Sequence, residues 1–445
     1  MSDLIDLAEA AVEAARRSGA EWADAVCANY RDIAVGVEKS SLRECETARE
    51  LGLGVRAFFR GGRGTASCLS PTLAEARACG RDAAAMAHAT HGDPYFVALP
   101  DPAPIPLVPE LFDEQVAGLS AAQAVEWCRQ AVAEARETAP EAVLSGGVQM
   151  TWGRRALASS TGMRVLTEWS RLGLSFFAVV RRGEQVGAFY EFDTARRLAD
   201  FVPAGVAQQA TRAALGFLGA KPLPTGRMPV VLGPLAADSL VMTLLGAASA
   251  ESIQRNRSFL VGKEGQAIAS EHLTVREDPF VPAGVSSMPA DGEGVPKTQR
   301  TLLDRGVLTT YLHNSYTSNK AGVPNTAHAM RGGYGAGVGI GPSNVLTQPG
   351  DRTEAELIAE IDEGLYINDA GLSTDGISGD LSATVDFGFK IEHGRLTHPV
   401  EATMIGGNVL DLTARLDAVS SDYRAEPGRV MPSVRLNMVQ VSSGG

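Results

Sequence analysis

Cysteine is scarce and scattered. Five residues (Cys27, Cys45, Cys68, Cys79, Cys128) occur in 445, none as Cys-x-x-Cys. That odd set gives neither a paired disulfide framework nor a thiolate metal knuckle, so a reduced, cytoplasmic chain is predicted. Basic excess is also missing. Forty Lys and Arg against 52 Asp and Glu leave a net charge of −12, which disfavours nucleic acid and anionic membranes as partners. No Gly-x-Ser-x-Gly elbow is present, so nucleophilic serine hydrolysis has no support. The opening Met1-Ser-Asp-Leu-Ile-Asp6 has no basic region ahead of an apolar one, so no secretory signal is predicted. The least charged run, from Met228 to Ala250, has transmembrane length but holds Pro229, Pro234 and Asp238. It reads as a buried core element rather than a membrane span.

The stretch from Pro229 to Phe259 organises the rest. Val230-Val-Leu232 stops at Gly233-Pro234, as a short buried strand does, and Pro234 suits a helix start. From Leu235 to Glu251 the residues are apolar or small around the helical circumference, with only Asp238 charged before the end, so a helix buried on most sides is predicted. Two histidines on one face of such a helix, with a glutamate, would hold zinc and activate its water. The helix has none; it offers Met242, Thr243 and Ala247.

A composition of 44% hydrophobic and 21% charged residues over this length predicts a globular chain of at least two domains. Leu4 to Arg17 is amphipathic and closes at Gly19; Thr72 opens a helix to about His88, and Ser120 one to Thr138. Strand-like runs lie at Ala23–Tyr30, Ile33–Glu38, Leu51–Phe59, Thr65–Cys68, Val143–Trp152, Arg164–Glu168, Leu172–Arg181 and Gln185–Phe192, followed by a helix from Ala204 to Leu218. Asp93 to Pro109 is a proline-rich connection. Lys221-Pro-Leu-Pro-Thr-Gly226 marks the boundary between residues 1–225, an α/β domain with helices on a mixed sheet, and residues 226–445, a β-rich domain with a buried helix. The fold class is α+β. In the second half, Val385 to Ile391 alternates, Val434, Leu436 and Met438 alternate in a closing strand, and Thr353 and Glu356 have capping-box spacing.

Arg331-Gly-Gly-Tyr-Gly-Ala-Gly-Val-Gly-Ile-Gly341 lacks the Lys-Ser/Thr of a nucleotide loop. Its glycines fall at every second position, including Gly333, Gly335 and Gly337, and predict an extended segment with one bare face. That face suits approach of another backbone, a peptide's or the chain's own. His88, His91, His393 and His398 read as solvated helix-end or turn residues. His272, beside Glu271, is the better candidate for a polar cleft, and His313 and His328 stand singly.

The order of these pieces resembles the TldD/TldE (PmbA) family of metallopeptidase-related proteins over essentially the whole chain. The resemblance rests on Arg49 to Phe59, Gly64-Thr-Ala-Ser67, Leu69-Ser-Pro71, Gly187-Ala-Phe-Tyr-Glu-Phe-Asp193, Lys221 to Gly226, Ser258-Phe-Leu260, Glu271-His-Leu-Thr274, Gly341-Pro-Ser-Asn344, Gly364-Leu-Tyr366, Gly379-Asp380 and Gly406-Gly-Asn408. In the TldD branch the helix matching Leu235 to Glu251 carries His-Glu-x-x-x-His and a later Cys completes the zinc site. Met242, Thr243 and Ala247 occupy those helix positions here, and Val419 to Met431 holds no Cys. The resemblance therefore implies the TldE branch: no metal in this chain, zinc only in a TldD-type catalytic partner, a heterodimer (or self-paired homodimer), and unfolded peptides as substrate, with Glu271, His272 and the bare glycine face as candidate peptide groove. A stand-alone TldD-related peptidase, or a peptide-binding homodimer working without the usual motif, is the alternative.

Overall fold

The computed structural model describes residues 3–443. Six antiparallel strands form the first sheet: β1 (Trp22–Glu38), β2 (Ser41–Phe59), β3 (Gly62–Leu69), β4 (Val143–Ser159), β5 (Arg164–Arg182) and β6 (Gln185–Ala195), in the order β3-β2-β1-β4-β5-β6. Several strands are longer than the sequence pattern predicts. Tyr30-Arg-Asp32 breaks the apolar alternation but not the strand, because Arg31 and Asp32 pair in register with Arg49 and Ala48 on β2 and with Trp152 and Thr151 on β4. Tyr30 and Asp32 are tolerated because they lie on the open face of the sheet, and Arg31, on the opposite face, because it is solvent-exposed there.

The other face is covered. Ala23, Ala25 and Cys27 of β1 pack under helices α1 (Leu4–Arg17) and α2 (Leu73–Ala89), while Ile33, Val35 and Val37, on the same face, pack under α3 (Ala121–Thr138) and α4 (Val206–Gly216). Thr72 caps α2 through a reciprocal box with Glu75. Residues 93–109 contain no helix or strand beyond a short turn.

In the second half, β7 (Gly226–Leu232), β8 (Glu363–Thr374), β9 (Asp380–Glu392), β10 (Thr403–Asn408) and β11 (Arg429–Ser443) close into a ring. β7 pairs parallel with β8, then β8-β9-β10-β11 run antiparallel, and β11 returns to β7. The architecture is α+β: a helix-backed sheet followed by a β-rich barrel half. Met438 does not continue the alternation of Val434 and Leu436. A bulge between Leu436 and Val439 gives it positive φ and turns it outward, and Val439 takes the buried place.

After β7, Gly233 caps helix α5 (Pro234–Ala247), with Pro234 in its first turn. Leu240, Val241, Leu244 and Leu245 of α5 enter the largest apolar core. The helix is less enclosed than predicted: Ser239, Met242, Thr243 and Ala247 are half-buried and Gly246 is exposed, because small residues on that side abut a depression rather than a neighbouring element. It also ends earlier, the chain resuming as a short helix at Ala250–Gln254. No helix among the described residues is long and apolar enough to cross a membrane.

Candidate functional site

Two regions join the sheet to the barrel half. The first is the outward side of α5. Ser239, Met242 and Thr243 line a shallow depression with Asp369 and Gly371 of β8, Asp386 of β9 and Tyr190 of β6. Tyr190 donates to Asp369 at 2.9 Å, joining the halves. Burial, then Asp369, holds the phenol well above its usual range, so it stays protonated. Thr243 spends its hydroxyl on the Ser239 carbonyl at 2.9 Å, and Ser258 donates to the Ala247 carbonyl at 2.6 Å.

Zinc needs three or four thiolate, imidazole or carboxylate donors. A thioether, a committed hydroxyl and a methyl do not meet that need, and among the described residues no three His, Cys, Asp or Glu converge. The residues at Met242, Thr243 and Ala247 do not fit the metal.

One turn earlier on α5, Asp238 pairs with Arg429 of β11 at 2.8 Å. Arg429 also lines a cleft of about 1130 Å³ between the open sheet face (Trp169, Arg171, Phe177) and Val285, Ser286 and Glu426 opposite. The α5 face and the long cleft are thus joined by one ion pair.

The second surface is built on buried charge. Asp24 of β1 accepts from Arg56 of β2 and, at 3.1 Å, from Arg331; Arg56 also reaches Glu293 at 3.3 Å. All four side chains are nearly inaccessible, so this cluster pins the segment after Ala329 onto the sheet. A second cluster lies deeper in the C-terminal half. Glu277 accepts from Lys297 Nζ at 2.9 Å, His328 Nε2 at 2.7 Å, and the Ser343 amide and hydroxyl, both at 2.6 Å. Burial alone would raise the Glu277 pKa, but His328, Lys297 and Ser343 together hold it far below the carboxylate range. Burial lowers His328, which stays neutral and donates through Nε2 while Nδ1 meets Thr326 at 2.8 Å. His328 is therefore structural, as is His313, buried against Thr317.

The sequence-derived groove is not assembled as drawn. Residues 333–336 turn, and only Gly339–Ile340 pairs, with Ala329–Met330, so the run is no continuous extended face. Side chains built on Gly333 or Gly337 would meet open space, so these glycines are not there for tight packing either. Glu271 and His272 lie exposed in the turn before strand Val275–Glu277, Glu271 paired with Arg305. The glycines that permit close approach are Gly52 and Gly54 on β2: a Cβ on Gly54 would stand 1.8 Å from the Tyr334 carbonyl, and one on Gly52 2.2 Å from its ring. Gly54→Ala is expected to lift the Gly332–Gly337 strap and cost about 1–3 kcal/mol. Thermal melting and faster hydrogen exchange confined to the strap would show it.

Three family models match the chain in succession: PmbA/TldA metallopeptidase domain 1 at residues 23–87, the central domain at 114–218 and the C-terminal domain at 225–443. The chain belongs to this family of metallopeptidase-related proteins. Within it, it is a TldE/PmbA-type protein, by similarity to TldE from Thermococcus kodakarensis (TM-score 0.90, 25% identity, 98% of this chain and 99% of that one) and to the metalloprotease PmbA homolog of Haemophilus influenzae (25% identity over 97% of this chain and 94% of the relative). A metalloprotease of Methanothermobacter thermautotrophicus is 34% identical over 47% of this chain and 46% of its own length. This and a second archaeal relative are thus matched over only about half their length.

Proposed function

We propose that this chain is the non-catalytic, TldE (PmbA)-like subunit of a cytoplasmic TldD/TldE-type zinc peptidase assembly that degrades or matures unfolded peptides. The observation that carries the reading is the donor set on α5: Met242, Thr243 and Ala247, which the resemblance sets at the His, Glu and His positions of the family's catalytic branch, offer a thioether, a hydroxyl already committed to Ser239 and a methyl. The cleft beside α5, walled by both halves, supports a role in holding or guiding an extended peptide. The peptide surface in this reading is the space between sheet and barrel half, rather than a strand added along the glycine run.

Co-expression with a TldD-type subunit, separation of the complex and metal analysis of each chain test the proposal. Stoichiometric zinc is expected in the partner and far less than one equivalent in this chain. About one zinc retained per isolated chain, after dialysis against a weak chelator, would refute it.

A further inference from the structure

On the open face of the first sheet, Tyr30 of β1, Gly153 of β4 and Trp169 of β5 lie side by side in register. The two rings stand 6.5 Å apart across Gly153. One row along, Ala28 pairs with Gly52 on one side and Arg155 on the other, so the floor is small residues with a single long cation beside them. The strap from Gly332 to Gly335 closes over this floor and leaves a cavity of about 580 Å³, inside the roughly 300–1,000 Å³ range of small-molecule sites.

Its polar groups are unequally satisfied. Glu50 accepts from the Tyr334 hydroxyl at 2.7 Å. Burial and then Glu50 hold the Tyr30 phenol above its usual range, so Glu50 faces protonated hydroxyls. Arg155 has one hydrogen bond, to the Arg331 carbonyl at 3.2 Å, and among the described residues no carboxylate lies within ion-pairing distance of it. The Arg331 Nε, buried at the same wall, has no acceptor at all. Burial, then the Arg331 charge, pulls the Arg155 guanidinium down to about 10, against a smaller opposing pull from Asp24 and Asp291.

We infer that this cavity is a subsite for the terminal carboxylate of a short peptide, Arg155 with Arg331 Nε holding the two oxygens and Tyr30 and Trp169 flanking the last side chain. A guanidinium pairs a carboxylate through parallel N–H donors, and aromatic walls suit an apolar or aromatic final residue. The choice of peptide rests on the function proposed above; the open cation and its cavity do not.

The test uses the full chain and N-acetyl-Ala-Ala-Phe, as free acid and as carboxamide, in calorimetric titration. The acid is expected to bind at least about tenfold more tightly than the amide, and Arg155→Gln to remove that preference. Equal binding of acid and amide overturns the inference, as does an unchanged preference in Arg155→Gln. Inorganic phosphate or acetate displacing the acid at equal concentration overturns the peptide assignment. Should Arg155→Gln fold poorly, the acid–amide comparison on the unaltered chain decides alone. Acid-selective binding with no cleavage in the assembled complex would leave this site standing and defeat the proposed function. Cleavage without acid selectivity would do the reverse.

Discussion

Incubated alone with an unstructured peptide, the chain is expected to give no turnover above background. Mixed with a zinc-bearing TldD-type subunit, it is expected to support cleavage that a chelator abolishes. The reason lies in the donors of α5: Met242 supplies a thioether, a poor ligand for zinc, Thr243 already hydrogen-bonds Ser239, and Ala247 supplies nothing. The triple variant Met242→His, Thr243→Glu, Ala247→His is expected to remain inactive. Of the acidic residues lining that depression, Asp369 is engaged with Tyr190, which leaves Asp386 alone to orient new imidazoles. Loss of such outer support typically costs 10–100-fold by itself. Chelator-sensitive hydrolysis by the unaltered chain alone, at enzyme-like rates, would defeat the non-catalytic reading.

Glu277→Ala is expected to be the most destabilising single substitution in the C-terminal half. It strands Lys297 and His328, both essentially inaccessible, along with the Ser343 amide and hydroxyl. Breaking a buried ion pair by removing one partner costs about 3–5 kcal/mol, which for a unit of this size lowers Tm by on the order of 10 °C. The pH dependence has a definite sign. Glu277 is held below its ordinary value, so its contribution is present above about pH 4.3 and is lost as pH falls below that toward its folded value. His328 is also lowered, so its contribution is complete above about pH 6.5 and declines as acid charges a ring that the fold keeps neutral. Stability should therefore start to fall below about pH 6.5 and fall more steeply below about 4.3. Urea midpoints from pH 8 to 3 would measure this. In Glu277→Gln the steep acid limb should flatten, and an acid limb identical to that of the parent would show that Glu277 is not depressed.

Local signals carried much of the fold. The Leu4–Arg17 helix, the Thr72 cap and the Thr353–Glu356 box were readable because each depends on residues within one or two turns. Strand length was not readable, since Tyr30 and Asp32 are tolerated on a face that a distant part of the chain leaves open, and Arg31 at an exposed place on the other face. Met438 misled because a one-residue bulge reverses the facing of the residues that follow Leu436. At the site, the positions lacking ligands followed from the family resemblance, whereas composition and spacing alone showed only a helix without histidine. Arg155, Arg331 and Glu277 gave no local sign. Their partners lie up to 307 residues away in sequence, as in the contact between Arg331 and Asp24, and nothing in the neighbouring residues marks an arginine as lacking a carboxylate.

The ring of strands in the second half also dictates an order of assembly. β7 finds one neighbour only in β8 and the other only in β11, so Val230 pairs with Leu365 and with Leu436. During synthesis the strand at 226–232 must wait, with both edges unpaired, while some 130 residues emerge before its first neighbour and some 200 before its second; contacts this remote make folding slow. Through that interval the apolar Val230-Val-Leu232 segment is a template for pairing with other chains. The first sheet, complete by Ala195, is under no such delay. A ribosome stalled within residues 233–428 should therefore present a folded amino-terminal sheet tethered to a sticky, protease-sensitive remainder, a species that chaperones would be expected to hold until β11 arrives.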